Sequence, residues 1–252
     1  MIQQRIAAVD DYMRMYNGLR EVEEVERELG RIGFFEGDFD RVARIFQRHS
    51  VTDIVGICLL HNHCSVTEGE IMVQRLPEVI CGKPSLVTAP AAADGELAQA
   101  SVPWSFRLES TADDGPFVPV EWSLDPLVQE DFVRLSGETA FLAELADALR
   151  AHGLTDLVGL ALYRRAFEPA APELLLIERS DTASRSNILT FDPDTEVGGE
   201  TIQTIYYMGD LADSPMAGCT VVCQRLPHCV KRSPGHGREM VHTGQQVHSV
   251  DV

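Results

Sequence analysis

Lysine is nearly missing from this chain: Lys83 and Lys231 are the only two, and the other 19 bases are arginine. Bases of both kinds are few, 21 against 39 acids, which leaves a formal net charge of −18. A surface of that sign repels a phosphate backbone, so nucleic acid is excluded as a general partner, and anionic membranes are disfavoured. Apolar runs are short, and none approaches the ~18 residues of a membrane span. The first residues, MIQQRIAAVDDYMRMYNG, lack the apolar block of a secretory signal, so the expected location is cytoplasmic. Nucleotide and hydrolase signatures are also missing. There is no P-loop, no G-x-S-x-G elbow and no G-x-G-x-x-G following a strand. Gly235–Glu239, GHGRE, is too short for a nucleotide loop.

What remains is a chain of 252 residues that is 44% hydrophobic, enough for an independent core. It carries an internal repeat. HSVTDIVGICL, starting at His49, aligns with HGLTDLVGLAL, starting at His152, and six of these eleven positions are identical. A helical pattern precedes each block, with Val42, Ile45 and Phe46 in the first and Leu142, Leu145 and Leu149 in the second. A strand-like run follows each, Glu70–Leu76 and Glu173–Arg179. The same offset pairs two later apolar runs in each half. Each unit therefore reads helix, strand, strand, long loop, strand, strand.

The expectation is an α+β fold of two pseudo-symmetric repeats of about 100 residues, each a helix followed by antiparallel strands. Its parts are an N-terminal helical extension (1–35), units at 36–135 and 136–230, and a His-containing tail (231–252). In the extension, REVEEVERELGRI reads as an exposed acidic helix. Thr88–Ala100 and Phe191–Glu200 read as loops. Thr52-Asp53 and Thr155-Asp156 read as turns between helix and strand. Gly56 and Gly159, inside the strands, mark a bulge or a close approach by another element.

Chemistry concentrates at the end of the first block. His61-Asn62-His63-Cys64 follows the apolar run. On a strand, His61 and His63 share one face and offer two imidazoles to a metal. Glu68 or Glu70, across the next turn, would complete a two-histidine, one-carboxylate set. The second unit has Arg164-Arg165-Ala166-Phe167 at the same place, so the fold does not require histidine there; the arginines would clamp an anion or sit solvated at a strand end. The C-terminal region supplies further donors: Cys219, Cys223 and His228, in C-x3-C-x4-H-C, which is not a zinc-finger spacing. Cys58, inside the apolar run, reads as a small buried hydrophobe. A thiol nucleophile at Cys64 would need a distant histidine as its base.

The leading expectation is a metal-binding protein, a metalloenzyme acting on a small molecule. Its candidate ligands are His61, His63, Cys219, Cys223, His228 and Glu68, for zinc, iron or copper. The competing reading is a non-catalytic pseudo-symmetric domain that binds a partner protein, with structural histidines. A third is a cupin, since G-x4-H-x-H-x4-E-G, Gly56–Gly69, approximates the first cupin metal motif but is one residue short. The block RHSVTDIVGICLLHNHCSVTEGEIMVQ also resembles an uncharacterised, largely fungal family in which L-L-H-x-H-F precedes an acidic turn and a second strand. Here Cys64 replaces the aromatic. That resemblance implies that the paired histidines are a family feature and implies no substrate.

Overall fold

A computed structural model describes residues 2–3, 9–109, 116–164, 167, 174–181, 183–193, 200–208 and 221–225. The chain begins with helices α1 (Val9–Asn17), α2 (Val22–Arg31) and α3 (Asp38–Arg48). Strands β1 (Val55–Leu59), β2 (Glu70–Gln74), β3 (Glu78–Ile80) and β4 (Lys83–Ala92) follow. A short helix α4 (Glu96–Ala100) leads to β5 (Val102–Leu108) and β6 (Phe117–Ser123). Helices α5 (Pro126–Gly137) and α6 (Thr139–Ala151) then precede β7 (Val158–Leu162) and β8 (Leu174–Asp181). The remaining strands are β9 (Ser186–Pro193), β10 (Glu200–Tyr206) and β11 (Val221–Arg225).

The helices form where the apolar spacing and the end chemistry agree. In α3, Val42, Ile45 and Phe46 are buried, with Asp38 and Asp40 in the first turn and Arg48 in the last, as the helix dipole favours. Ser50 then turns left-handed at φ 55°, and Val51 N–H closes on the Phe46 carbonyl at 3.2 Å. In α6, Phe141, Leu142, Leu145 and Leu149 are buried. Gly153 takes the left-handed position at φ 66°, and Leu154 N–H bonds to the Leu149 carbonyl at 2.8 Å. Both endings are Schellman closures. Asp125 caps α5 by accepting from Leu127 N–H at 2.9 Å, with Pro126 at the first helical position. The segment read as an exposed acidic helix is α2. Its charges face out, but Val22, Val25 and Leu29 form a buried stripe.

All eleven strands belong to one mixed sheet, in the order β2-β6-β5-β7-β1-β10-β11-β8-β9-β4-β3. β2 also pairs with β4, so the sheet curls until ten strands form a closed ring, leaving β3 as a hairpin partner of β4. Closure removes free edges. β1 and β7 lie side by side, antiparallel, with Ile57 opposite Leu160. Every residue of both strands is buried, because both faces of this sheet region are covered, as in a sandwich core.

The strands are not all antiparallel. β2 runs parallel to β6, and β8 parallel to β11; each pair is bridged by a long excursion through the ring, which permits a parallel return. The stretch read as a loop at Thr88–Ala100 also differs. Its first residues continue β4, where Thr88 to Ala92 pair with β2, and its last form α4. Alanine and proline concealed a strand whose partners are distant in sequence. In the second expected loop, Phe191–Glu200, the first three residues are the end of β9 and Glu200 opens β10. This ring, with its two parallel pairs, is not the eight-stranded jelly roll of a cupin.

Gly56 and Gly159 mark close approaches. A methyl on Gly56 would stand 2.4 Å from the Tyr206 carbonyl oxygen, and one on Gly159 would stand 2.3 Å from that of Phe106. Neither position has room for a side chain. Thr52-Asp53 and Thr155-Asp156 lie in turns, as expected.

Candidate metal centre

His61 and His63 stand just beyond the end of β1, where the chain bridges Arg20 at His61 and bends from His63 onward. The N-terminal segment holds it there. Asn62 N–H bonds to the Arg20 carbonyl at 3.2 Å, and Asn62 Nδ2 donates to the Leu19 carbonyl at 2.8 Å. Further along, Asn17 brackets Val66, donating to its carbonyl at 2.8 Å and accepting from its N–H at 2.9 Å. The two imidazole rings meet at 4.5 Å between centroids.

Each ring is oriented from behind. His61 Nδ1 lies 2.9 Å from the Leu59 carbonyl oxygen. A carbonyl only accepts, so the proton sits on Nδ1 and the Nε2 lone pair is left for another partner. His63 Nδ1 lies 3.1 Å from Ser180 Oγ, which orients the ring so that its Nε2 faces the group, the hydroxyl being able to donate or accept. Glu178, from β8, completes the group: its Oε1 is 3.4 Å from His63 Nε2 and its Oε2 is 3.9 Å from His61 Nε2. One donor atom from each of the three residues falls within a mutual 4.8 Å, and all three are buried. Ligands 2.0–2.2 Å from a tetrahedral ion are themselves about 3.3–3.6 Å apart, so a small adjustment of His61 suffices.

The protonation states suit ligation. Burial holds the His63 imidazole neutral, lowering its pKa to about 3 despite the nearby Glu178 charge. Burial works against the Glu178 carboxylate too; Arg164 and the Asn187 amide favour its ionised form, and its pKa lies below the ordinary value. Asn187 Nδ2 donates to its Oε1 at 2.5 Å and Thr204 Oγ1 to its Oε2 at 3.2 Å. A neutral His63 imidazole, an ionised carboxylate and outer partners on every ligand are what a metal ion requires.

Glu121, from β6, faces the group, with Oε1 3.8 Å from His63 Nε2. Burial, reinforced by the Glu178 charge, raises its pKa to about 7; Arg164 and the Tyr16 and Trp104 side chains pull the other way. Tyr16, from α1, donates its hydroxyl to Glu121 Oε1 at 3.2 Å. Arg164 is 1% exposed, its guanidinium 3.9 Å above the Trp104 ring centre. Glu121, Arg164 and Trp104 line a cavity of about 30 Å³ together with His61, His63, Glu178 and residues of β1, β5 and β10.

Of the residues expected as ligands, His61 and His63 lie in this group. Glu68 is exposed on the turn before β2 and lies outside it. Cys219 and His228 fall outside the described residues, and of Cys223 only the backbone is described, in register with Glu178 across the parallel β8–β11 pair. The carboxylate the group does contain, Glu178, is far away in sequence. Its one local signal is a charge inside the apolar run LLLIER. Glu121, inside VPVEWS, carried the same signal. Cys64 is not poised as a nucleophile: burial pushes its thiol up to about 11, and its Sγ donates to the Arg185 carbonyl at 3.4 Å. Cys58 is buried, donates to the Leu160 carbonyl at 3.5 Å, and is pushed by burial up to about 12.

No family model matches the chain, and no curated protein or solved structure matches it either. No helix among the described residues is long and apolar enough to cross a membrane.

Proposed function

We propose that the protein is a metalloenzyme acting on a small molecule, with one transition-metal ion held by His61, His63 and Glu178. The observation that carries this reading is the convergence of three buried donor atoms within 4.8 Å, each ligand fixed by an outer partner. Two imidazoles and one carboxylate suit zinc or ferrous iron and leave coordination positions open for water or substrate. An open position is what separates a catalytic centre from a closed structural one. Glu121 is the acid–base group in this reading, since its carboxyl faces the centre, with Oε1 3.8 Å from His63 Nε2, within reach of a molecule bound there.

The reading includes a duplication, with the centre at the junction of the two copies. Support comes from the strand order: exchanging β1 with β7, β2 with β8, β4 with β9, β5 with β10 and β6 with β11 leaves the order around the ring unchanged. Ile57 and Leu160, equivalent in the repeat, face one another at the middle of the β1–β7 pair. Arg164, the counterpart of His61, lines the same cavity.

Elemental analysis of untagged protein tests the proposal. About one zinc or iron per chain is expected, lost in the His61→Ala, His63→Ala double variant and in Glu178→Gln. Wild-type protein that takes up no metal, and whose melting temperature is unmoved by added zinc or ferrous iron, refutes it.

A further inference from the structure

Arg164 is out of place unless something else enters the cavity. It is 1% exposed, yet its Nε and Nη1 complete no hydrogen bond. A buried guanidinium is normally saturated with acceptors, because each unmet N–H forfeits its hydration. Its face is occupied by the Trp104 ring at 3.9 Å, which fixes the plane of the fork without using its donors. The Trp104 Nε1 lies close to Glu121 but completes no hydrogen bond either. Both residues line the same cavity as His61, His63 and Glu178.

Charge points the same way. Among the described residues, the charged ones lining the cavity are Arg164, Glu178 and Glu121. A divalent ion added to Arg164 gives three positive charges, against two negative ones even with both carboxylates ionised. The remaining charge, buried among Leu60, Val120 and Ile205, calls for an anion.

We propose that this cavity binds a small carboxylate, held by the unused Arg164 donors beside the metal, and that the substrate of the centre is a small carboxylic acid. This rests on the metal-centre reading above. A cavity of about 30 Å³ holds about two water molecules; a carboxylate head takes their place. The indole N–H of Trp104 is next to the bound group and reports on it.

Formate is the probe. It is titrated into zinc-loaded and zinc-free wild-type protein while the Trp104 indole resonance is followed by 15N NMR, with zinc counted on the same samples. A saturable shift of that resonance is expected, stronger with zinc bound. Arg164→Lys keeps the charge but not the fork, and Arg164→Met removes both; each is expected to weaken formate binding about tenfold or more. Arg164→Lys carries the comparison should Arg164→Met not fold. One zinc per chain with no formate response overturns this inference and leaves the metal centre standing. An equal response in wild type and both folded variants overturns it as well. A formate response that needs Arg164 in protein that takes up no zinc keeps the anion site and removes the metal.

Discussion

Ser180 and Asn187 face one another across the β8–β9 hairpin, and each fixes a different member of the candidate centre. Ser180 Oγ is 3.1 Å from His63 Nδ1, and Asn187 Nδ2 is 2.5 Å from Glu178 Oε1. One cross-strand pair thus orients both an imidazole and the carboxylate that meets it. Ser180→Ala removes the hydrogen-bond partner that orients the His63 ring. We expect zinc affinity to fall about 10- to 100-fold, with little change in the melting temperature of metal-free protein. Competition against a chelator dye measures this. Unchanged affinity would show that His63 is not held as a ligand through Ser180.

The histidine pair was legible because strand periodicity alone puts His61 and His63 on one side, and the twin block carries arginine there. The α+β character was legible from helical and alternating apolar patterns. The third member of the group was not. Glu178 reaches His63 only because β8 and β1 are joined through β11 and β10, and local spacing holds no trace of such a path. Tyr16 was hidden for the same reason: α1 packs against β2, and Tyr16 meets Glu121 of β6, distant in sequence. The parallel pairs were missed because hydrophobic alternation is the same in parallel and antiparallel ladders.

Tyr12 completes the junction between β2 and β6. Their parallel pairing begins at Val73 and Trp122. Just before it, the Tyr12 hydroxyl accepts from Met72 N–H at 3.1 Å and donates to the Val120 carbonyl at 2.8 Å. Tyr12→Phe leaves both buried backbone groups unmet, at a cost of about 2 kcal/mol or more. Chemical denaturation reads this directly; a variant within experimental error of wild type would mean that the strands reclose without the hydroxyl.

Two glycine substitutions should move stability in opposite directions. A methyl at Gly159 meets the Phe106 carbonyl oxygen at 2.3 Å and Leu60 Cδ2 at 2.7 Å, so β5 and β7 must shift. Gly159→Ala should cost about 1–3 kcal/mol. Gly30 lies in α2, and a methyl added there would have nothing within 4 Å, so Gly30→Ala should stabilise by about 0.5–1 kcal/mol. Equal effects at the two sites would contradict the close approach at β7.

Ser50 and Gly153 close α3 and α6 with the same left-handed turn, but Ser50 holds φ 55° with a side chain attached. It is exposed, so Ser50→Gly removes the left-handed strain without emptying any packed space. A gain of about 0.5–1 kcal/mol is expected, or about 1–3 °C in melting temperature for a chain of this size. A loss would mean that the added freedom of the unfolded chain outweighs the relieved strain.

Arg185 ties the β8–β9 turn to the loop after the histidines. Its guanidinium bonds to the Ser65 carbonyl at 2.8 Å and to Glu70 Oε2 at 2.5 Å. The hydrogen bond from Arg185, opposed by partial burial and aided by Thr67, lowers the Glu70 pKa to about 2. The unfolded value is about 4.3. A carboxyl depressed on folding stabilises the native state fully above its unfolded pKa, and that contribution fades as the pH falls toward the folded one. Arg185→Met removes most of it at every pH. The melting-temperature gap between wild type and variant should therefore be widest at about pH 6 and narrow steadily from about pH 4 down to about pH 2. A gap that stays constant over that interval would mean that Arg185 stabilises the loop through Ser65 alone and that the Glu70 pair contributes nothing.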